Sequence, residues 1–279
     1  MRQRIKGVQN TAKITRAMEL IASSKMRKAQ ERGLAGRPYS DKIKQVIADL
    51  AAMYRANEET HPLLRQRPVK NITIVHITPD RGLVGGLDAN LNRKTGAFIL
   101  QQKADVSLLV IGRRGIDYMR RYQRKISAEF TRLGDKPSLI DTLPISRIIM
   151  DEYTRCETDM VYIAYAQYIN VMRQVPAIEQ ILPVIPEESV IKHNYDYIFE
   201  PDANSVLDKL LPRFVESEVY HTILESIASE QSSRMVAMKN ATQSANELQE
   251  ELTLAYYKAR QESITSELLD IVGGASAIS

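Results

Sequence analysis

Residues 213–272 read RFVESEVYHTILESIASEQSSRMVAMKNATQSANELQEELTLAYYKARQESITSELLDIV, and these 60 residues contain neither Gly nor Pro. Glycine and proline are the strongest interrupters of regular structure. Their absence predicts one continuous helix of roughly 90 Å at ~1.5 Å per residue. An ordinary globular helix has about 11–12 residues, so a small domain cannot cover such an element. Gly273-Gly274 is placed as its stop, and Pro212 near its start or at a kink. Val219, Ile223, Ile227, Val236, Ala241, Ala245, Leu248 and Leu252 recur at helical spacing and draw one apolar stripe.

A stripe of that length must face another long helix. The first 32 residues supply one, with Gly7 as their only glycine and no proline. They predict a helix of roughly 48 Å, continuing to Asn57 with a break at Gly33, Gly36 and Pro38. Its expected stripe is Ile5, Val8, Ala12, Ile14, Ala17, Met18, Ile21 and Ala22. Charge points to the same pairing: residues 1–32 carry nine Lys/Arg and two Glu, whereas 213–272 carry five Lys/Arg and ten Asp/Glu. Opposite balances favour pairing over self-association, although each charged face also reads as simply solvated. The expected arrangement is an antiparallel coiled coil of the two chain ends.

Between them, Asn71–Thr78 is a β-branched strand, followed by a glycine-rich turn, Pro79 to Gly86. A helix is expected from Leu87 to about Lys103, a strand over Asp105–Gly112, and helices over Arg114–Arg121 and Ser146–Arg155. Strands follow at Met160–Ile169 and near Ala177–Leu182, and Pro183, Pro186 and Pro201 lead out into the last helix. Alternating strands and helices imply a mainly parallel sheet covered by helices. The fold class is α and β: a long antiparallel coiled coil of the N- and C-terminal helices (1–57 and 202–279) with an inserted α/β domain (70–185).

Composition excludes several functions. Net charge is only +4 and aromatics are 6%, which does not mark a nucleic-acid binder. The basic cluster Lys25-Met-Arg-Lys28 lacks interleaved aromatics for base stacking. No apolar run reaches the ~18 residues of a membrane span, so a soluble chain is expected, reaching a membrane only through a partner. The single cysteine, Cys156, permits no internal disulfide. His61, His76, His193 and His221 have no second ligand at metal spacing, so no metal and no cofactor is expected. The acid pairs Glu187-Glu188 and Glu250-Glu251 read as solvated faces. Arg81-Gly-Leu-Val-Gly-Gly86 stands where a phosphate site would, after a strand and before a helix. It matches neither G-x-G-x-x-G nor a P-loop, and reads more simply as a tight turn. Met18, Met26, Met235 and Met238 read more often as core than as contact surface, but thioethers also suit a sliding interface, and both readings stay open.

Three stretches resemble the gamma subunit of F-type ATP synthases. They are Ile14-Thr-Arg-Ala-Met18 with Lys25-Met-Arg-Lys28, Asp80-Arg-Gly-Leu-Val-Gly-Gly-Leu87, and Arg234-Met-Val-Ala-Met-Lys-Asn-Ala-Thr242. Leu252-Thr-Leu254 and Arg260-Gln-Glu-Ser-Ile-Thr-Ser-Glu267 extend the third, and the resemblance runs over essentially the whole chain. It departs from the family pattern at Asp88 and Tyr257, where the family usually has Asn. It implies a Rossmann-like inserted domain that binds no nucleotide. It further implies a non-catalytic central-stalk rotor that couples proton flow through the c ring to ATP synthesis or hydrolysis. The implied partners are three alpha and three beta subunits, the epsilon subunit and the c-subunit ring, at the cytoplasmic face of an energy-transducing membrane. By the same resemblance Met18, Arg260, Gln261 and Thr265 contact a beta subunit, and Tyr197, Phe199 and Glu200 meet the c ring. The competing expectations are a coiled-coil scaffold or adaptor without rotary partners, and a nucleotide-binding α/β enzyme with helical arms.

Overall fold

The computed structural model of the chain describes residues 1–54, 61–185 and 203–278. They gather in two compact units, Met1–Ala22 with Arg234–Ser279, and Ser23–Ser233.

In the Ser23–Ser233 unit, β1 (Asn71–Ile77), β2 (Asp105–Ile111), β3 (Ile126–Phe130) and β4 (Met160–Asn170) lie parallel. β5 (Arg173–Leu182) returns antiparallel to β4 as a hairpin, giving the order β3-β2-β1-β4-β5. Helices α2 (Leu87–Gln101), α3 (Arg113–Arg121) and α4 (Leu139–Thr154) make the crossovers. The long helices are α1 (Arg2–Tyr54) and α5 (Ala203–Ile278).

The two-residue period of a strand divides β1 between two cores. Ile72 and Ile74 join Ile99 of α2 and Ile116 and Met119 of α3. Val75 and Ile77, facing the other way, join Ile145, Ile149 and Tyr153 of α4. Ile43 and Ile47 of α1 and Leu211, Val215 and Val219 of α5 complete this second core. Full burial of each such aliphatic side chain contributes roughly 1.5–3 kcal/mol.

Several expectations need correction. The break at Gly33, Gly36 and Pro38 does not occur, and α1 is continuous through all three. Gly36 is there for close approach, since a Cβ at this position would stand 2.0 Å from Cε1 of His221. Likewise α5 starts at Ala203 and passes through Pro212. The proline removes one backbone donor, but Leu207, Leu211, Val215 and Val219 are buried on both sides of it and hold the helix together. Gly273-Gly274 does not stop α5, which continues to Ile278. Glycine weakens a helix by about 1 kcal/mol but keeps its N–H, so it does not forbid one.

Within the sheet, β3 has no counterpart among the expected strands, because its five residues of alternating partial burial, Ile126–Phe130, carry little apolar signal. Helix α4 begins seven residues ahead of the expected Ser146, at Leu139, where Ser138 donates from its N–H and Oγ to Asp141 Oδ2 at 2.8 and 2.7 Å. Those bonds hold the Asp141 carboxyl below its ordinary range. Strand β5 starts at Arg173, ahead of the expected Ala177, and carries Pro176 in its run. A proline is tolerated on an edge strand because its missing N–H leaves no central ladder bond unmade.

In the unit of Met1–Ala22 and Arg234–Ser279, the helices run antiparallel. Thr15 Oγ1 and Thr242 Oγ1 are 2.7 Å apart, and Arg2 Nε donates to the Tyr256 hydroxyl at 2.7 Å. Ala12, Ala22, Met238 and Ala245 are buried here, so the seam is made largely of small side chains. The expected stripes hold only in part: Ile14, Ile21 and Leu248 are exposed, and Thr15 is buried in their place.

Candidate functional site

Helix α5 past Tyr256 is the most unusual surface of this unit. Every residue from Tyr257 to Val272 is exposed, although six of them are large and apolar. Ile264, Leu268 and Ile271 follow at helical spacing, and Leu269 (66% exposed) and Val272 widen that face. A stable helix normally hides such a stripe, and exposed apolar patches mark contact with another molecule. The resemblance-derived residues Arg260, Gln261 and Thr265 lie in this bare stretch and are exposed. Thr265 Oγ1 donates to the Gln261 backbone carbonyl at 2.9 Å, an intrahelical bond. Met18 of α1 is half-buried, and Ile14, Leu20 and Ile21 beside it are exposed. Sequence reasoning missed this outward apolar character because it assigned Ile14 and Ile21 to a seam. The available signal was the apolar spacing at Ile264, Leu268 and Ile271, which continues beyond the segment that α1 covers.

Tyr197, Phe199 and Glu200, with Glu187, Glu188 and His193, lie outside the described residues.

The glycine turn after β1 is folded around the chain's own groups. Asp80 Oδ1 accepts the N–H of Arg113 at 3.0 Å, at the start of α3, and its Oδ2 accepts the N–H of Arg132 at 2.9 Å. A carboxylate thus takes the helix-terminal position open to an anion. Asp88, in the first turn of α2, pairs with Arg114 at 2.8 Å. Gly85 has φ 59°, and Ser233 Oγ of α5 donates to the Val84 carbonyl at 2.7 Å. The strand-end crevice therefore receives α5. Lys25, of the basic cluster, is 2.7 Å from the Asp135 carboxylate, whose other oxygen accepts from Gln231 Nε2 at 3.2 Å.

His76 is fully buried, with Nε2 2.7 Å from Asn92 Oδ1 and Nδ1 3.3 Å from Thr95 Oγ1. Burial pulls its pKa down to about 4, against a smaller upward pull from Asn92. His61 accepts the N–H of Leu63 at Nδ1, and its pKa is lowered by burial despite Asp208 nearby. Among the described residues no group of three or more His, Cys, Asp or Glu could hold a metal ion. Cys156 is exposed, beside the guanidinium of Arg67. No helix of the described residues is long and apolar enough to cross a membrane.

A family model described as ATP synthase matches residues 1–278. The "ATP synthase gamma chain" of Dehalococcoides mccartyi is 63% identical over 278 residues, covering all of this chain and 98% of that protein. The protein of the same name from Coxiella burnetii is 45% identical over 284 residues, again with full and 98% coverage. Among solved structures, a chain of the Tetrahymena thermophila mitochondrial ATP synthase central stalk and c ring superposes with TM-score 0.64. It is 24% identical, with 82% of this chain and 99% of that chain covered. A chain from the Euglena gracilis mitochondrial ATP synthase gives TM-score 0.68 at 18% identity, with 99% and 93% covered. At these identities the two structures establish the likeness of fold.

Proposed function

Because the chain belongs to the ATP synthase gamma-chain family, we propose that it is the central-stalk rotor subunit of a rotary ATP synthase and is not itself a catalyst. The observation that carries the reading is the bare helix of residues 257–272, with large apolar side chains turned outward. Such a surface suits entry into a surrounding ring of three alpha and three beta subunits. Small, re-formable apolar contacts allow one helix to address successive beta subunits without a deep site. A shaft can move a beta subunit between states only by contacting those states differently. Uneven distribution of Leu254, Tyr257, Ile264 and Leu268 around α5 provides that difference.

On this reading Arg260, Gln261, Thr265 and Met18 contact a beta subunit, while Tyr197, Phe199 and Glu200 meet the c ring. The functional division is 1–57 and 202–279 as the paired helices and 70–185 as the α/β domain, which also meets epsilon. The sheet's buried cores give that domain the stiffness to receive torque from the ring. Proton flow turns the ring, and the chain carries that rotation to the catalytic sites. The protein is peripheral, at the cytoplasmic face of the energy-transducing membrane, and the absence of a membrane-crossing helix among its described residues is in keeping with this.

The test is co-purification of the tagged chain with alpha and beta subunits, followed by an ATPase assay. A complex whose turnover depends on the chain is expected. A stable homodimer that ignores both subunits would refute the rotor and leave the scaffold.

A further inference from the structure

In a parallel sheet the segments that enter the strands share one edge, and in this domain that edge is basic. Register places Asn71 opposite Asp105, Ile72 opposite Met160 and Leu108 opposite Ile126. The approach to β1 therefore lies between those of β2 and β4, with that of β3 beyond β2. Backbone bonds tie the approaches together: Asp105 N–H donates to the Lys70 carbonyl, Leu108 N–H to Lys125, and Asp159 N–H to Asn71.

Each approach brings a cation. Lys70 precedes β1, Lys103 precedes β2, Arg124 and Lys125 precede β3, and Arg155 precedes β4, with Arg121 at the end of α3. All are exposed except Arg124, which is half-buried, and none forms a salt bridge with a described residue. The acids of the same approaches do not balance them. Asp159 is bound by Arg67 at 3.3 Å and by the N–H groups of Lys70 and Asn71. Asp105 and Glu157 remain exposed there, with Asp151 exposed and Glu152 half-buried at the end of α4, four carboxylates against six cations. Apolar and aromatic groups stand among the cations: Val69, Leu100 (72% exposed) and Tyr122, whose ring centroid is 4.7 Å from that of Tyr118.

Lysine and arginine interspersed with exposed aliphatic side chains and tyrosine make a surface suited to anionic lipid headgroups. The cations are drawn to the negative leaflet, and tyrosine rests at headgroup level. A nucleic-acid strand would require aromatic platforms in series, which this edge lacks. We propose that the basic strand-entry edge of the α/β domain contacts the anionic membrane surface. This rests on the central-stalk reading, which sets that domain against the membrane-embedded ring. The contact would brush the headgroups electrostatically without insertion, so it would resist tilting of the domain while allowing it to turn.

The test uses the complex of the chain with alpha and beta subunits, sedimented with vesicles of phosphatidylglycerol and phosphatidylcholine (3:7), against pure phosphatidylcholine. Binding to the anionic vesicles alone, falling as salt rises past physiological strength, is expected. Lys103→Gln/Lys125→Gln/Arg155→Gln should weaken it on the order of a hundredfold, taking about 1 kcal/mol per cation near the surface, without loss of alpha and beta. Equal binding to both vesicle types, or an unchanged triple variant, would overturn the proposal. So would absence of vesicle binding with the triple variant instead losing an acidic protein partner. Failure of the chain to co-purify with alpha and beta would break the stalk reading itself, which keeps the two failures distinct.

Discussion

Along Ala203–Ser233, α5 buries Leu207, Leu211, Val215, Val219 and Ile223; along Tyr257–Val272 every residue of the same helix is exposed. Composition does not separate the two stretches, since both alternate leucine and isoleucine with acids. The difference lies in what meets them. In the first stretch a sheet face and α1 close over the stripe, and in the second nothing described does. An apolar stripe therefore reports that a helix needs a partner, and leaves open whether the partner belongs to the same chain. The anchored stretch should respond to substitution as a core does, and the bare stretch as an interface does.

The largest contrast is expected from Leu211→Ala, which empties a fully buried position and should cost about 2–5 kcal/mol in urea unfolding. Leu268→Ala, at an exposed position, should stay within about 0.5 kcal/mol. Equal losses would erase the distinction. Ala245→Pro, in the paired helices, should cost about 3 kcal/mol or more and abolish assembly with alpha and beta, visible as loss of co-purification. Normal assembly would argue against a continuous α5 there.

Acid tests the anchored region by itself. His76 is held neutral, with its pKa lowered to about 4 from 6.5, so the unfolded chain takes up the proton first. Stability is full above about pH 6.5 and falls progressively as pH drops toward 4, by roughly 3 kcal/mol at 1.36 kcal/mol per unit. Urea midpoints at pH 7.5 and 5 check the slope, and His76→Gln should flatten it. Gln261→Ala/Thr265→Ala should slow ATP-driven turnover several-fold with no more than about 0.5 kcal/mol lost in folding. Unchanged turnover would remove these two residues from the contact. The smallest effect belongs to Ser229→Ala: its hydroxyl is buried without a hydrogen-bond partner among the described residues, so the change should be neutral or slightly stabilising.

The long helices, β1, β2 and β4 were legible in the sequence because they carry sustained apolar periodicity or dense β-branching. What escaped was decided by neighbours. Gly36 and Pro38 read as a break and Pro212 as a start or a kink, yet tertiary burial carries the helices across them. Strand β3 has too few apolar residues to declare itself and takes its form from pairing with β2. At the candidate site, the motif matches single out Arg260, Gln261 and Thr265, and the structure shows these three residues exposed. The outward apolar groups around them became evident only once burial could be assigned. Periodicity says which residues share a face, and burial says whether this chain covers it.

The glycine at position 36 acts as a keyway. The His221 ring occupies the room that any side chain there would take, so the ring is a key cut to one slot. Any shift of one helix along the other moves the ring out of the gap that the missing side chain leaves. Axial creep between the two helices at this level is thus blocked by shape, in a way that neither charge nor greasiness could achieve.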